Sequence, residues 1–380
     1  MNQALKDQRI QELISLYNDG DIKACLSKAN KIGKIYPEEP FIFNLIGVVS
    51  ASIGSYDDAI ISYKRALKIN PDYFEVYNNL GVAYNDNKKP DKAISYFKRA
   101  LKINPDYPEA YNNLGNSLKD TNDLDKARES YEKAIELNPS YIDPYTNLAI
   151  LFVSKKENKK AEDYFKKALH LSPTNIQNSL AYSNYLYHQE FYDKSKDILH
   201  TIITLDSINS EAWNQLGLCD MQQKNYEFAL SSFEKALEIS SNQIEPLNNK
   251  GLVFYKTNEF TKAKEVFLKV LSFDPEYIEA INNLGRVYTA MGLPGNAIEI
   301  LNSKLKKNAS NPKLLSCLVD AYARQQNYSK ALACCKKVMD LEGETAPALN
   351  SIGHLYHKIG NYKKAEINLP LSVGKNLLFT

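Results

Sequence analysis

The chain has 380 residues, of which 44% are hydrophobic and 24% are charged, values that are ordinary for a folded globular protein. Its 47 Lys and Arg residues against 45 Asp and Glu residues leave a formal charge of +2, which excludes a protein dedicated to coating nucleic acid. Gly and Pro number 15 each, which is too few for a collagen-like or Pro-rich disordered chain.

The first segment of the chain contains no long apolar stretch. Charges at Lys6, Asp7, Arg9 and Glu12 interrupt residues 1–21, whereas a secretory signal peptide needs a continuous apolar core. No run of about 18 apolar residues follows, so no membrane-spanning helix is predicted. The sequence therefore predicts a cytoplasmic protein without membrane insertion, and its five cysteines are interpreted as reduced thiols.

Much of the sequence repeats itself every 34 residues. The segment Tyr-Asn-Asn-Leu-Gly at residues 77–81 is the clearest copy, and related segments begin at Tyr111, Tyr145, Trp213 and Ile281. Twelve residues after the small fifth residue an alanine recurs: Ala59, Ala93, Ala127, Ala161, Ala229, Ala263, Ala297, Ala331 and Ala365. A fixed period of this length predicts a stacked array of similar units. Its aromatic positions also account for many of the 26 tyrosines.

Each repeat is predicted to be a pair of helices. In residues 74–107, the apolar positions 77, 80, 83 and 84 have the spacing of one helical face. A polar stretch over residues 85–90 interrupts the pattern, and a second apolar stripe continues at 93, 97, 100 and 101. Asn104-Pro105 ends the second helix, because a proline ring cannot continue the hydrogen-bond ladder. Gly81 and Ala93 are expected where the two helices cross, since small residues let the backbones approach.

These residues resemble the tetratricopeptide repeat (TPR) family, whose pattern is an aromatic residue, Leu-Gly, Ala, a second aromatic residue, Ala and Pro. The resemblance covers about the whole chain and implies an all-α fold. It implies an α-solenoid in which about eleven helix-turn-helix repeats form a right-handed superhelix. We expect a degenerate N-terminal hairpin over residues 1–39, the repeat array over 40–345, and an incomplete last repeat with a tail over 346–380. Pro370 is predicted to end the last helix.

One repeat within the array, residues 176–209, departs from the pattern. Ser179 and Ser195 stand where other repeats have an aromatic residue and an alanine. This repeat and the last hairpin are candidates for self-association, because an uncapped end of a repeat array leaves apolar surface open.

The sequence contains no motif typical of an enzyme. The turn at Gly292-Leu-Pro-Gly295 lacks the Lys that follows the glycines of a phosphate-binding loop, and no nucleophile elbow is present. His354 and His357 share a helix face, but no carboxylate or thiolate partner is evident nearby, so a surface or groove position is favoured over a metal site. We expect a non-catalytic protein without a cofactor or a metal.

The resemblance implies where a ligand would lie. In similar modules, positions 2, 6, 9 and 13 of each first helix form one stripe that lines a concave groove. Position 6 is asparagine in five repeats: Asn79, Asn113, Asn147, Asn249 and Asn283. A side-chain amide offers donors and an acceptor, so such a row can pair with a peptide backbone of any sequence. The TPR arm of O-linked N-acetylglucosamine transferases is similar in this respect. The alternative is that asparagine here serves solvation or folding alone.

The charges of the stripe are uneven. Position 2 is mostly acidic, which departs from the TPR clamps that hold chaperone carboxylates with Lys or Arg; the acidic residues are Glu75, Glu109, Asp143, Glu211, Glu245 and Glu279. Residues 301–380 have 12 Lys and Arg against 5 Asp and Glu, a net charge of +7. Basic residues occupy the last part of the stripe: Lys256, Arg286, Lys313, Arg324 and Lys358. We expect them to attract an acidic segment of the partner. A solvated lysine-rich surface that includes Lys304 and Lys306 is the alternative.

The predicted function is a non-catalytic scaffold that binds extended peptide segments of a protein partner in its groove. A second hypothesis is the substrate-recognition arm of a truncated or split glycosyltransferase or sulfotransferase, because proteins resembling this one often carry such a domain after the repeats. Nucleic-acid binding is disfavoured by the near-neutral charge and the acidic row at position 2.

Overall fold

The computed structural model describes residues 3–306 and 310–368, and over these residues it contains α-helices and no strand. The first eleven helices are α1 Gln3–Asn18, α2 Ile22–Ile35, α3 Pro40–Ser52, α4 Tyr56–Ile69, α5 Phe74–Asp86, α6 Pro90–Ile103, α7 Pro108–Asp120, α8 Leu124–Leu137, α9 Asp143–Ser154, α10 Asn158–Leu171 and α11 Ile176–His188. The others are α12 Tyr192–Leu205, α13 Ser210–Gln222, α14 Tyr226–Ile239, α15 Ile244–Lys256, α16 Phe260–Phe273, α17 Ile278–Ala290, α18 Pro294–Leu305, α19 Pro312–Arg324, α20 Tyr328–Glu342, α21 Ala346–Ile359 and α22 Tyr362–Asn368. The predicted all-α solenoid of helical hairpins is confirmed.

The turn inside each hairpin places one residue in the left-handed conformation. The residues with positive φ at this place are Gly20, Gly54, Lys88, Asn122, Lys156, Glu190, Lys224, Asn258, Gly292, Gln326 and Gly360. After α5, the Lys88 N–H donates to the Asn85 carbonyl and the Lys89 N–H donates to the Tyr84 carbonyl. These bonds satisfy carbonyls at the end of the first helix. A residue with a Cβ atom is strained in this conformation by roughly 1–2 kcal/mol.

Within a hairpin, a glycine of the first helix makes room for a ring of the second. A Cβ atom added to Gly81 would lie 2.5 Å from Cε1 of Phe97, and one added to Gly115 would lie 2.5 Å from Cε1 of Tyr131. Both rings are buried. A small residue is therefore required at Gly81, as predicted, and the side chain that fills the space is the ring of Phe97.

Successive hairpins stack through the second helix of one and the first helix of the next, as α4 does on α5 and α6 does on α7. Helix α6 ends at Ile103, and the N–H of Asn104 donates to the carbonyl of Ala100. The predicted helix end before Pro105 is confirmed. Buried alanines of the second helices, such as Ala93 and Ala100, allow this close packing.

The chain forms two compact units, residues 1–182 and 183–380, and the boundary falls inside α11. The degenerate repeat retains both of its helices. Ser195, which replaces the usual alanine, is 1% exposed, and its Oγ donates to the carbonyl of Ser183 at 2.8 Å. The buried hydroxyl is thus satisfied, which is why a serine is tolerated at a core position.

The C-terminal unit corrects one expectation about its lysines. Lys304 does not belong to a solvated surface: it is 7% exposed and forms an ion pair with Glu276. It occupies the repeat position held by buried alanines such as Ala134.

The last hairpin is described only to Asn368. Pro370 and the apolar tail at residues 377–379 lie outside the described residues. Over residues 3–306 and 310–368, no helix combines the length and the apolar character that crossing a bilayer requires.

Candidate peptide-binding face

The sequence-predicted asparagines form rows that connect neighbouring first helices. We call the surface through positions 2, 6, 9 and 13 of the first helices the asparagine face. In the N-terminal unit, each position-6 amide donates from Nδ2 to the Oδ1 of the position-5 asparagine of the preceding repeat: Asn79 to Asn44 at 3.1 Å, Asn113 to Asn78 at 3.0 Å, and Asn147 to Asn112 at 2.8 Å. The three donors are partly buried.

The C-terminal unit repeats this arrangement. Asn249 donates to Asn214 at 3.0 Å, and Asn283 donates to Asn248 at 3.2 Å. Asn249 is partly buried, whereas Asn283 is 8% exposed. The structure therefore brings all five predicted asparagines into the same bonding pattern, but Asn283 offers little surface to a ligand.

The position-5 acceptors were missed by the sequence reasoning. The available signal was the Asn-Asn dipeptide itself, which recurs at residues 78–79, 112–113, 248–249 and 282–283. One asparagine of such a pair faces the stripe, and the other packs toward the next repeat. Tyrosines also fix two of the position-5 asparagines. The side chain of Tyr73 hydrogen-bonds Asn44, and that of Tyr141 hydrogen-bonds Asn112.

The inter-repeat hydrogen bond fixes each position-6 amide but does not use all of its polar groups. A carboxamide has two N–H donors and one oxygen, and the bond to the preceding repeat uses a single N–H. The second N–H and the Oδ1 are the groups that an extended backbone could meet. Since the fixed amide loses little further freedom on binding, the row is suited to peptide recognition.

The acidic row at position 2 lies beside tyrosines that close the preceding repeats. Burial, followed by the carboxylates of Glu109 and Glu75, raises the pKa of Tyr107 to about 12. Burial, with Glu279 and Glu245 nearby, also raises the pKa of Tyr277. These phenols are protonated near neutral pH, as ordinary tyrosines are, and can donate, while the carboxylates supply acceptors for peptide N–H groups or cationic side chains.

Between residues 74 and 345, three repeats lack asparagine at position 6, and in residues 176–209 this position is Ala181. At residues 210–243 position 6 is Gln215, whose Oε1 accepts from the Oγ of Ser183 at 2.8 Å. At residues 312–345 position 6 is Cys317, whose Sγ lies 3.7 Å from the carbonyl oxygen of Asn282. The Oδ1 of Asn282 is buried and accepts no hydrogen bond from any residue that the structure describes.

Two of the predicted basic residues of the C-terminal unit, Arg286 and Arg324, lie near other polar or aromatic groups of the protein. The Arg286 guanidinium lies 4.8 Å from the centroid of the Tyr255 ring. Asp320, which sequence reasoning missed, lies near Arg286 and Arg324. Partial withdrawal from water raises the pKa of Asp320, and the two arginines oppose that rise. Arg324 and Lys358 are exposed. This end of the face therefore carries mixed charge rather than a purely basic patch.

Comparison with protein families agrees with the repeat pattern. Models of the tetratricopeptide repeat match residues 49–88, 74–107, 108–141, 142–175, 210–243, 244–277 and 346–369, which together make up more than half of the chain. No curated protein matches the chain.

Several solved structures are similar to this chain. The crystal structure of yeast Tom70 is 17% identical, covers 96% of this chain and 90% of its own, and has a TM-score of 0.49. YrrB, described as a TPR protein with an unusual peptide-binding site, is 26% identical over 49% of this chain and 95% of its own, with a TM-score of 0.39. MamA protein is 27% identical over 45% of this chain and 94% of its own, with a TM-score of 0.39. Because all three scores are below 0.5, the family assignment depends on the sequence repeats.

Proposed function

Because the chain belongs to the tetratricopeptide repeat family, a fold typical of protein-interaction proteins, we propose that it is a non-catalytic scaffold that binds extended peptide segments along its asparagine face. The ligand is a segment of a protein partner, and no cofactor takes part. The role is that of a cytoplasmic protein that brings partners together.

The observation that carries this proposal is the orientation of the position-6 amides. The Nδ2 atoms of Asn79, Asn113 and Asn147 each bond the preceding repeat at 2.8–3.1 Å, so three amides in one unit are held in the same way. Amides held in the same way in successive repeats can pair with the recurring N–H and C=O groups of an extended chain. Recognition of this kind is tolerant of sequence, which suits a scaffold.

Charge gives the proposed ligand a preferred composition. The acidic side chains at position 2 attract cationic side chains, and Arg286, Arg324 and Lys358 in the C-terminal unit attract carboxylates. Asp320 lies near Arg286 and Arg324, so we expect the acidic preference at this end to be modest. Nucleic acid is not the proposed ligand, because the acidic row would repel phosphates.

The structure provides a matched control for testing the amides. Changing Asn79, Asn113 and Asn147 to Ala removes both the inter-repeat bond and the groups offered to a ligand. Changing the acceptors Asn44, Asn78 and Asn112 to Ala removes the same three bonds but leaves the position-6 amides on the face. Binding of an array of extended peptides of varied sequence is measured for the wild type and for both triple variants.

We expect the position-6 variant to lose peptide binding about tenfold or more, and the position-5 variant to keep most of it. Both should lose thermal stability because each breaks the three inter-repeat bonds, and the position-5 variant should lose more because it also removes the hydrogen bonds of Tyr73 and Tyr141 to Asn44 and Asn112. Equal loss of binding in the two variants would mean that asparagine serves folding alone. Unchanged binding in the position-6 variant would refute the proposed face.

A further inference from the structure

A cleft in the C-terminal unit is lined by none of the residues of the asparagine face. It lies between α18, α19 and α20 and has a volume of about 260 Å³, which is below the roughly 300–1,000 Å³ of typical small-molecule sites. Its apolar lining includes Leu305, Leu315 and Leu318, and its charged lining is Lys330 and Lys337. A cleft of this size and chemistry suits one inserted side chain better than a metabolite.

The N-terminal unit contains a related cleft between α8, α9 and α10, of about 320 Å³. Its lining includes Glu132, Tyr145, Tyr164 and Lys167. The two tyrosine rings lie 6.3 Å apart, and the Nζ of Lys167 lies 4.9 Å from the centroid of the Tyr164 ring. This lysine therefore has an aromatic ring beside it and a carboxylate in the same cleft.

The two clefts are built from the same repeat positions, five repeat lengths apart. Glu132, Tyr145, Tyr164 and Lys167 correspond to Asn302, Leu315, Cys334 and Lys337. The lysine is retained, whereas the carboxylate and both rings are replaced. The cleft of the C-terminal unit thus retains the lysine but lacks the carboxylate and the two rings of the N-terminal cleft. Its own ring, Tyr322, lies 5.6 Å from the Nζ of Lys330, the second lysine of the lining.

In two earlier repeats the cation at this position contacts the aromatic ring of the first helix. The Arg65 guanidinium lies 3.9 Å from the Phe43 ring centroid, and that of Arg99 lies 5.2 Å from the Tyr77 ring centroid. Phe43 and Tyr77 occupy the aromatic position of the repeat that Leu315 occupies in residues 312–345. Since leucine has no ring, Lys337 receives no such contact from this position. The net charge of +7 over residues 301–380 adds a general attraction for anionic partners.

We propose that the cleft between α18, α19 and α20 is a docking site for an acidic peptide segment of a partner protein, which inserts one aromatic side chain beside Leu315 and Lys337. The inserted ring takes the place of the ring that Leu315 does not supply and receives the Lys337 cation on its face. Carboxylates next to the aromatic residue pair with Lys330 and Lys337. This site is separate from the asparagine face and does not depend on it.

The proposal is tested with a defined probe and the full chain. The probe is a short capped peptide with one central phenylalanine between glutamate pairs, and its affinity is measured by calorimetry at low salt. We expect the same peptide with alanine in place of phenylalanine, or with glutamines in place of the glutamates, to bind about tenfold or more weakly. Failure of the acidic aromatic probe to bind, or equal binding of all three peptides, would overturn the proposal.

Two protein variants locate the binding. Lys337→Glu reverses the charge in the cleft and should weaken the probe about tenfold or more, whereas Lys336→Glu makes the same change outside the lining and should weaken it less than about threefold. Leu315→Tyr supplies the missing ring from within and should block the probe. Equal effects of the two lysine variants, or full binding by a folded Leu315→Tyr protein, would rule out this cleft. The triple change of Asn79, Asn113 and Asn147 to Ala should leave the probe's affinity unchanged, so failure of one proposal is distinguishable from failure of the other.

Discussion

Completing the interrupted asparagine row should stabilise the C-terminal unit. The buried Oδ1 of Asn282 accepts no hydrogen bond from the described residues. At the preceding junction, the Oδ1 of Asn248 accepts a hydrogen bond from Asn283, which lies 35 residues later. The residue 35 positions after Asn282 is Cys317. Cys317→Asn therefore places an Nδ2 donor at the position from which it can donate to the Oδ1 of Asn282. An unsatisfied buried polar atom costs about 1–3 kcal/mol, whereas a typical hydrogen bond contributes about 0.5–1.5 kcal/mol. After the loss of a small buried thiol, we expect a net gain of about 1 kcal/mol.

The assay is urea denaturation of the wild type, Cys317→Asn and Cys317→Ala. The free energies of unfolding are compared with one common m-value, the dependence of that free energy on urea concentration. The alanine variant separates loss of the thiol from gain of the donor. In the background Asn282→Ala, which removes the acceptor, the advantage of asparagine over alanine at residue 317 should disappear. If Cys317→Asn is no more stable than Cys317→Ala when Asn282 is present, the bonding pattern does not govern stability at this junction.

Three further predictions concern the hairpins and the buried thiol. Gly81→Ala should destabilise by about 1–3 kcal/mol because its Cβ would lie 2.5 Å from a ring carbon. Gly295→Ala, with its nearest atom at 3.8 Å, should be neutral or stabilising by up to about 1 kcal/mol in the same denaturation assay. Lys88→Gly should raise the melting temperature, since it relieves a left-handed residue with φ of 57°, whereas Gly54→Ala should lower it. Burial raises the pKa of Cys317 from 9.0 to about 12. The protonated thiol therefore contributes fully to stability below pH 9, and this contribution is lost as the pH rises toward 12. Cys317→Ala should reduce the fall of the urea midpoint at alkaline pH, and an unchanged fall would contradict this.

The hairpins could be predicted from sequence because their determinants are local. The spacing of Tyr77, Leu80 and Ala83 defines one helical face, and Asn104-Pro105 defines a helix end, so each element follows from residues within one turn of it. The requirement for glycine at residue 81 also followed from the repeat pattern. Its physical cause, the ring of Phe97 at 2.5 Å from an added Cβ atom, needed the packing of two helices.

Only those features of the candidate site that depend on a single helix could be predicted. The asparagines at position 6 were identified from the repeat, but their acceptors lie in the preceding repeat. Helical periodicity does not reveal which side chains of two neighbouring repeats are in contact. The surroundings of the basic end could not be predicted for the same reason. Lys304 pairs with Glu276 of the preceding repeat, and Asp320 lies near Arg286 of the preceding repeat. These contacts join different repeats, and charge counts along the sequence cannot reveal them.

The binding role proposed for the asparagines would link ligand binding to the stability of repeat junctions. Asn113 donates one N–H to Asn78 at 3.0 Å, and the proposed ligand uses the second N–H and the oxygen of the same amide. Local opening of the junction between α5 and α7 would break both sets of bonds together. A ligand that binds only the closed junction must therefore lower the population of the open one.

Amide hydrogen exchange of the wild type, with and without a peptide that the array identifies, measures this coupling. We expect slower exchange in α5 and α7, and a smaller effect in the variant in which Asn78 is changed to Ala, because there the ligand-bound amide is no longer tied to the preceding repeat. A uniform change along both units, or equal protection in the wild type and the Asn78 variant, would show that the peptide binds without using the inter-repeat bond. The stability of a junction and its affinity for a peptide would then be independent properties.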